Sequence, residues 1–373
     1  MNGHNSPIIL EEGSYTPQDV ANLRSHYPVW EERDIYQAQL REYFEITHPE
    51  LLGSPDYELQ LNQYLEANLN EKEIRGDWVY FPWSGLLVHL LAREKYFTLR
   101  TNRNRNLITE DEQQTLRESC IGIVGLSVGS NVATTLAYCG IGKVLKLAEF
   151  DTLETTNLNR IRGRVDQIGV KKIDLTAQQV YEVDPYMQIL RFDEGLSKDI
   201  LEEFVTGEPK PQVLFEIIDS FELKIHLRFL ARKIGIPVIM VTNLGDRILM
   251  DVERYDLSRD IEFFNGRAGS VPRTMVEQPD LTTDDKHKYA VALAGISHIP
   301  PRAMESVSQI GKTLVGRPQL ASTVTIAGGF GAYYAKKIIL GHDLPSGSWL
   351  VDLDKLFTEK SSLLSSPWMP NLI

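Results

Sequence analysis

The stretch IGIVGLSVGSNVATTLAYCGIG, Ile121–Gly142, decides the fold. The apolar run Cys120–Val124 has strand length and stops at Gly125. Val128–Tyr138 then carries its apolar residues at helical spacing. Gly125 and Gly129 bracket the turn between them, and glycine there allows positive φ and a close backbone approach. A helix starting beneath such a turn aims free N–H groups and the positive end of its dipole at whatever sits above it. The unit therefore reads as a seat for phosphate, with packing of strand on helix as the plainer alternative.

Working outward, the alternation continues. Strand-like runs fall at Val144–Phe150, Gln188–Phe192, Val213–Ile218 and Val238–Thr242, with helical runs at Lys171–Val183, Lys198–Val205 and Phe221–Ile234 between them. Strand–helix alternation at these lengths predicts an α/β fold of Rossmann-like, doubly wound type: a mostly parallel sheet with helices on both faces. Arg247–Tyr255 alternates with period two and reads as an antiparallel strand. Phe263–Thr283 reads as a loop, and helices are expected at His287–Gly295, Pro301–Ile310 and Ser322–Leu340. Residues 1–100 differ in texture, with short helical patches, proline-bearing polar segments and the aromatic run Trp78–Trp83. They are expected to form a small accessory domain whose aromatics pack a core. The expected organisation is an accessory domain at 1–100, a nucleotide-binding domain at 101–345 and a tail at 346–373.

The residues after the turn decide between a redox dinucleotide and a triphosphate. Asp151 follows the second strand, placed to accept from ribose hydroxyls. Taken alone, turn and acid suggest NAD. The turn matches the dinucleotide fingerprint poorly, however, because Ser127 stands where a second glycine is usual. Asn157, Arg160 and Lys172 follow, and Asp219 closes a later strand. A nicotinamide enzyme has no use for that series. A triphosphate does: cations neutralise phosphates and leaving pyrophosphate, and a strand-end aspartate can hold Mg²⁺.

The order Asp151, Asn157-Leu-Asn-Arg160, Gly169-x-x-Lys172 resembles the ThiF-type superfamily, which includes ubiquitin-activating enzymes, sulfur-carrier adenylyltransferases and a tRNA threonylcarbamoyladenosine dehydratase. The resemblance covers about Arg103 to Thr242, with a weaker match at Ser322–Leu340. It implies ATP and Mg²⁺ as cofactors and adenylation of a carboxylate, with release of pyrophosphate. By position it implies that Gly125, Ser127 and Gly129 cradle nucleotide and that Asp151 binds ribose. Asn157 and Arg160 position ATP, Lys172 stabilises charge on the α-phosphate, and Asp219 holds the metal. Arg105, with Arg103 as alternative, would reach the γ-phosphate of a partner subunit, which implies a homodimer. The implied substrate bears a carboxylate, such as a small ubiquitin-like protein or a peptide. Nucleic acid is disfavoured by net acidity, though tRNA stays open.

Plainer readings stand beside these. Arg160 could pair with Asp166 or Glu154, and Lys171 and Lys172 could be solvated. Asp219 could cap the helix Phe221–Ile234. Glu149 could brace the site or simply end a strand, and Arg103 and Arg105 could be a basic linker. The acids and arginines of residues 245–255 are expected to pair among themselves, with contact to the substrate as the alternative. A nucleotide sensor without chemistry is the alternative function, with an NAD-dependent oxidoreductase behind it.

Composition narrows the classes. The chain has 373 residues, 42% of them hydrophobic, enough for a large core, and a net charge of -12, which gives no global pull toward nucleic acid or anionic membrane. No segment has the apolar length of a membrane span, and the amino-terminal segment has no signal-peptide pattern, so a cytoplasmic location is expected. Cys120 and Cys139 are the two cysteines, and no CxxC pair exists to bind zinc. Both read as packing residues, so no thioester on this chain is expected. The histidines 287, 298 and 342 lack ligand spacing.

Overall fold

The structure, a computed structural model, describes residues 6–70, 72–272, 282, 289, 295 and 298–358. The expected helix at 287–295 and the expected loop beyond residue 272 lie almost wholly outside the described residues. The chain divides into two compact units, one drawn from Met1–Ser119, Leu136–Leu145 and Asp174–Ile189, the other from Cys120–Thr135, Lys146–Ile173 and Leu190–Ile373.

The first unit contains a four-stranded sheet: β1 (Ile8–Leu10), β2 (Glu31–Asp34), β3 (Asp77–Phe81) and β4 (Leu86–Leu90), in the order β1-β3-β4-β2. β3 and β4 form an antiparallel pair, while β2 joins β4 in parallel. The aromatic run packs as expected of a core, with Trp78 and Tyr80 joining Tyr15, Val20, Leu23 and Leu87. Leu40, Phe44, Leu61 and Leu65, from the helices Tyr36–Thr47 and Tyr57–Leu69, meet at i and i+4 spacing to build a second core.

The larger sheet has seven strands: β5 (Cys120–Val124), β6 (Val144–Ala148), β7 (Gln188–Phe192), β8 (Val213–Glu216), β9 (Val238–Leu244), β10 (Arg247–Glu253) and β11 (Gly347–Asp352). Their order is β11-β10-β9-β8-β5-β6-β7. β5, β8 and β9 run parallel, and β10 turns back antiparallel to β9 as its alternation predicts. Within the expected tail from residue 346, Gly347–Asp352 docks as β11, antiparallel to β10 along the sheet edge. The chain order reverses between β5 and β8, which places the ligand crevice of such a sheet at the carboxyl ends of these strands.

Helices cover both faces. Leu214, Val238 and Met240 pack against the helices Lys198–Thr206 and Phe221–Ile234. Phe215 points the other way by strand alternation. There, Gly331 of the helix Ala321–Ile339 lies so close that an added Cβ would sit 2.9 Å from its ring. Gly328 of the same helix lies against Asn131, again with room for no Cβ. The small-residue run thus lets this helix press onto both β8 and the helix Gly129–Tyr138.

Candidate nucleotide site

The site assembles at the carboxyl ends of β5, β6 and β8. Gly125 has φ +88, and a Cβ there would lie 2.2 Å from the carbonyl oxygen of Ile217. The residue must therefore be glycine, and the β5 turn presses directly on the segment that leads to Asp219. Glu149 at the end of β6 fixes this turn. It is buried, and its carboxylate accepts from the amides of Leu126 at 2.9 Å, Phe150 at 2.9 Å and Asp151 at 3.1 Å. Glu149 is thus neither a plain strand end nor free for ligand. The doubled acid Glu149-Phe-Asp151 was the available sequence signal: one acid braces backbone while the other faces outward.

Asp151 and Lys172 meet because the loop between them folds back. Leu153 N–H donates to the Val170 carbonyl at 2.8 Å, and Lys172 N–H donates to the Asp151 carbonyl at 2.9 Å. The Lys172 ammonium then donates to Asp151 Oδ2 at 2.8 Å, with the lysine side chain 9% exposed and the aspartate 51%. Lys171, by contrast, points to solvent and Glu194. The ammonium is sheltered and its carboxylate is half open, so a phosphate oxygen could replace or share that carboxylate.

Asn157 is buried, and its amide oxygen accepts from the Glu154 amide at 3.2 Å. Its carbonyl accepts from the amides of Arg160 and Ile161. Asn157 thereby shapes the turn that aims Arg160. The Arg160 guanidinium reaches Ser127 Oγ at 3.4 Å and also donates to the Thr156 carbonyl and Asn159 Oδ1. Asp166 pairs with Arg164 and not with Arg160. Burial pulls the Arg160 guanidinium below its ordinary pKa, and the fields of Asp219 and Glu154 oppose that pull. Arg160 is therefore held at the glycine turn, within the field of Asp219.

Asp219 is 91% exposed and pairs with Arg317, a residue the sequence did not mark. It does not cap the following helix. Ser220 does, accepting from the Leu223 amide. Asn159 donates to the Gln319 carbonyl at 2.8 Å, which brings the start of the helix Ala321–Ile339 to the same side. Gly125, Ser127, Asp151, Asn157, Arg160, Lys172 and Asp219 thus belong to one neighbourhood, while Gly129 packs inward on Ile123. Arg105 and Arg103 belong to the first unit, where both are exposed beside a short turn.

Four of the charged residues of 245–255 pair, but with residues outside the segment: Arg247 with Asp352, Arg254 with Asp256, Asp251 with Arg267 and Glu253 with Arg228. Cys120 is buried, its thiol pushed up to about 11 by burial, and Cys139 is partly buried. No group of three metal-ligating side chains occurs among the described residues. No helix among them is long and apolar enough to cross a membrane.

Residues 101–363 match the family model described as the ThiF family. The chain belongs to the ThiF family. It is 35% identical over 294 residues to an uncharacterised protein, MT1398, of Mycobacterium tuberculosis (strain CDC 1551 / Oshkosh), covering 79% of this chain and 40% of that protein. Over 76 residues it is 42% identical to ubiquitin-like modifier-activating enzyme 5 of Arabidopsis thaliana, covering 20% of this chain and 17% of that enzyme. The ThiF-family chain thus spans well under half the length of either relative. Among solved structures, E. coli tRNA N6-threonylcarbamoyladenosine dehydratase, TcdA, aligns with a TM-score of 0.47 at 19% identity, covering 65% of this chain and 95% of that one.

Proposed function

We propose that this ThiF-family chain is an ATP- and Mg²⁺-dependent adenylyltransferase that activates a carboxylate as an acyl adenylate. One observation carries the reading. Arg160 reaches Ser127 of the glycine turn within the field of Asp219, and Lys172 is held by a half-open Asp151 whose amide donates to Glu149, the acid that braces the same turn. Family membership and the likeness to a modifier-activating enzyme support adenylation in general.

In the proposed reaction a substrate carboxylate oxygen forms a bond to the α-phosphorus. The bond from that phosphorus to the bridging oxygen breaks, and pyrophosphate leaves with the electron pair. Little covalent protein chemistry is required; positioning and charge do the work. The turn at Gly125 and the helix Gly129–Tyr138 offer backbone N–H groups to phosphate oxygens. Asp151 orients ribose. Lys172 shifts from Asp151 toward the α-phosphate, and Arg160 follows the departing pyrophosphate. Asn157 keeps the loop in shape. Asp219 fits Mg²⁺, which takes one or two carboxylates plus phosphate oxygens; when bound, the ion would offset phosphate charge. Arg105 would act on the nucleotide of a second subunit, in a homodimer.

The acyl group would pass to another protein's sulfur or to a nitrogen of the substrate. Supporting this, Cys120 is buried with its thiol held neutral and Cys139 ends the helix under the turn, so neither suits a thioester. The carboxylate belongs to a peptide, a ubiquitin-like protein or a small acid, and residues 1–100 are proposed to recognise it. The test is pyrophosphate exchange into ATP with a panel of carboxylates. Exchange that depends on both the acid and Lys172 supports the reading. ATP binding without exchange for any acid would favour a nucleotide sensor.

A further inference from the structure

The helix Phe221–Ile234 begins beside Asp219 and, over its 14 residues, carries the chain about 20 Å away from it. At its far end lies an open groove of about 420 Å³ lined by Phe229, Leu230, Arg232, Lys233 and Arg259. Nothing in the adenylation reading uses it.

The groove is cationic in an anionic protein. Arg232, Lys233 and Arg259 enter no ion pair among the described residues, although the chain carries a net charge of -12. Basic residues in a last helical turn ordinarily complement the helix dipole, and Arg232 and Lys233 do so here. That dipole end amounts to only about half an elementary charge, however, so three cations leave an excess. Arg259 also comes from a separate segment. The nearby acid Asp256 is held by Arg254, and Asp260, next in sequence, makes no ion pair with Arg259.

Two of the cations are held in place without being neutralised. Gly235 has φ +83, and a Cβ there would lie 1.8 Å from Arg259 Nη2, so the guanidinium rests on the glycine. The Arg232 guanidinium lies 4.5 Å from the Phe263 ring centroid and 5.6 Å from that of Phe229. Stacked guanidiniums keep their in-plane donors free for a carboxylate. Between them Phe229, 42% exposed, presents apolar surface.

We propose that this groove docks an acidic peptide segment of a protein partner, with an apolar side chain set between its carboxylates. The guanidiniums would take carboxylates in bidentate fashion, and Phe229 and Leu230 would take the apolar side chain. The overall negative charge of the chain repels such a peptide elsewhere, so the groove would fix where it lands. A groove with three cations is short for a nucleic acid strand, which needs a longer basic track.

The test is fluorescence anisotropy on the full chain at low salt. The probe is a labelled peptide of glutamates around one leucine; the comparisons are the same peptide with lysines and a single-stranded oligonucleotide of equal charge. The acidic peptide is expected to bind at least tenfold tighter than either, to weaken at least tenfold in Arg259→Glu and to weaken severalfold in Phe229→Ala. ATP binding should be unchanged in both variants. These side chains are surface-exposed, and a thermal melt checks that the variants fold. Equal binding of the acidic and lysine peptides, or no effect of Arg259→Glu, overturns the proposal. Tighter binding of the oligonucleotide with the same Arg259 dependence also overturns it and assigns the groove to nucleic acid.

Discussion

Two clusters of charge lie at opposite ends of exposure, and the contrast separates what holds the fold from what can act. Beneath β8, Glu216, Arg228 and Glu253 are wholly buried. Arg228 donates to Glu216 at 2.7 Å and to Glu253 at 2.8 Å, Lys224 donates to Glu216 at 2.6 Å, and Tyr255 and the Phe264 amide donate to Glu253. Around the glycine turn, Asp219 is exposed, Arg160 is half-buried, and the sheltered Lys172 is paired with an Asp151 that is half open. In the first cluster each charge has a buried partner of opposite sign, although Arg228 Nη2 is left without an acceptor and burial pushes the Glu253 carboxyl up to about 7; losing a partner there strands a charge in low dielectric. In the second, partners are half in water, worth little to stability and free to be exchanged for a ligand. The two are joined: Glu216 also accepts from the Ile218 amide at 3.1 Å, one residue before Asp219. The committed cluster shapes the strand end on which the exchangeable one depends.

The comparison breaks most sharply at Glu216. Glu216→Ala leaves Lys224 and Arg228 facing each other without their shared carboxylate, an expected loss of about 3–5 kcal/mol in urea unfolding. The buried carboxyl also sets an acid limit. Burial alone would raise its pKa, but Lys224 and Arg228 outweigh burial and hold it below the ordinary value. Its contribution is therefore present above the unfolded glutamate value, about 4.3, and is lost as pH falls through the lower folded value. Urea midpoints across that acid range should decline more steeply for the wild type than for Glu216→Gln.

At the open cluster the expectation reverses. Lys172→Ala should lower carboxylate-dependent pyrophosphate exchange by about 10²–10³-fold, the scale for removing one transition-state donor. Its cost in stability should stay near 1 kcal/mol, because Asp151 regains water. A large stability loss without a loss of exchange would erase the distinction between the clusters.

Smaller effects sharpen it further. Cys120, with its thiol pushed up to about 11, is protonated throughout the neutral range. Iodoacetamide should label it slowly in the folded protein at pH 8 and rapidly in urea; fast labelling of the folded form would reopen a thioester route. Arg317→Ala should change stability by less than about 1 kcal/mol while freeing Asp219, and so should lower the Mg²⁺ concentration needed for half-maximal exchange.

Much of this was readable in the sequence where periodicity and chemistry agree. Cys120–Val124, Gln188–Phe192 and Phe221–Ile234 occur with the bounds their patterns predict. Of the site residues the sequence singled out, Asp151 and Lys172 do pair and Arg160 does reach Ser127, because they lie on one loop that folds back on itself. The rest was hidden for physical reasons. β2 is Glu-Glu-Arg-Asp, fully exposed, and pairs through its backbone with no apolar face to announce it. β11 is half-buried along most of its length and takes its place by pairing with the edge of β10, so no apolar run announces it. Lys224 and Arg228 sit four residues apart on a helix and would ordinarily mark a wet face. They face inward because Glu216 and Glu253 wait on strands distant in sequence, which no local pattern reveals. Arg317 reached Asp219 unannounced for the same reason.

The central claim, that this turn and its exchangeable charges grip a triphosphate, is tested most directly by calorimetric titration. Mg²⁺-ATP and NADH are titrated into the wild type and into Arg160→Ala, Lys172→Ala and Asp219→Ala. The account predicts that Mg²⁺-ATP binds the wild type, that NADH binds far more weakly, and that each substitution weakens ATP about tenfold or more. Tight NADH binding, or ATP binding indifferent to all three substitutions, would contradict it.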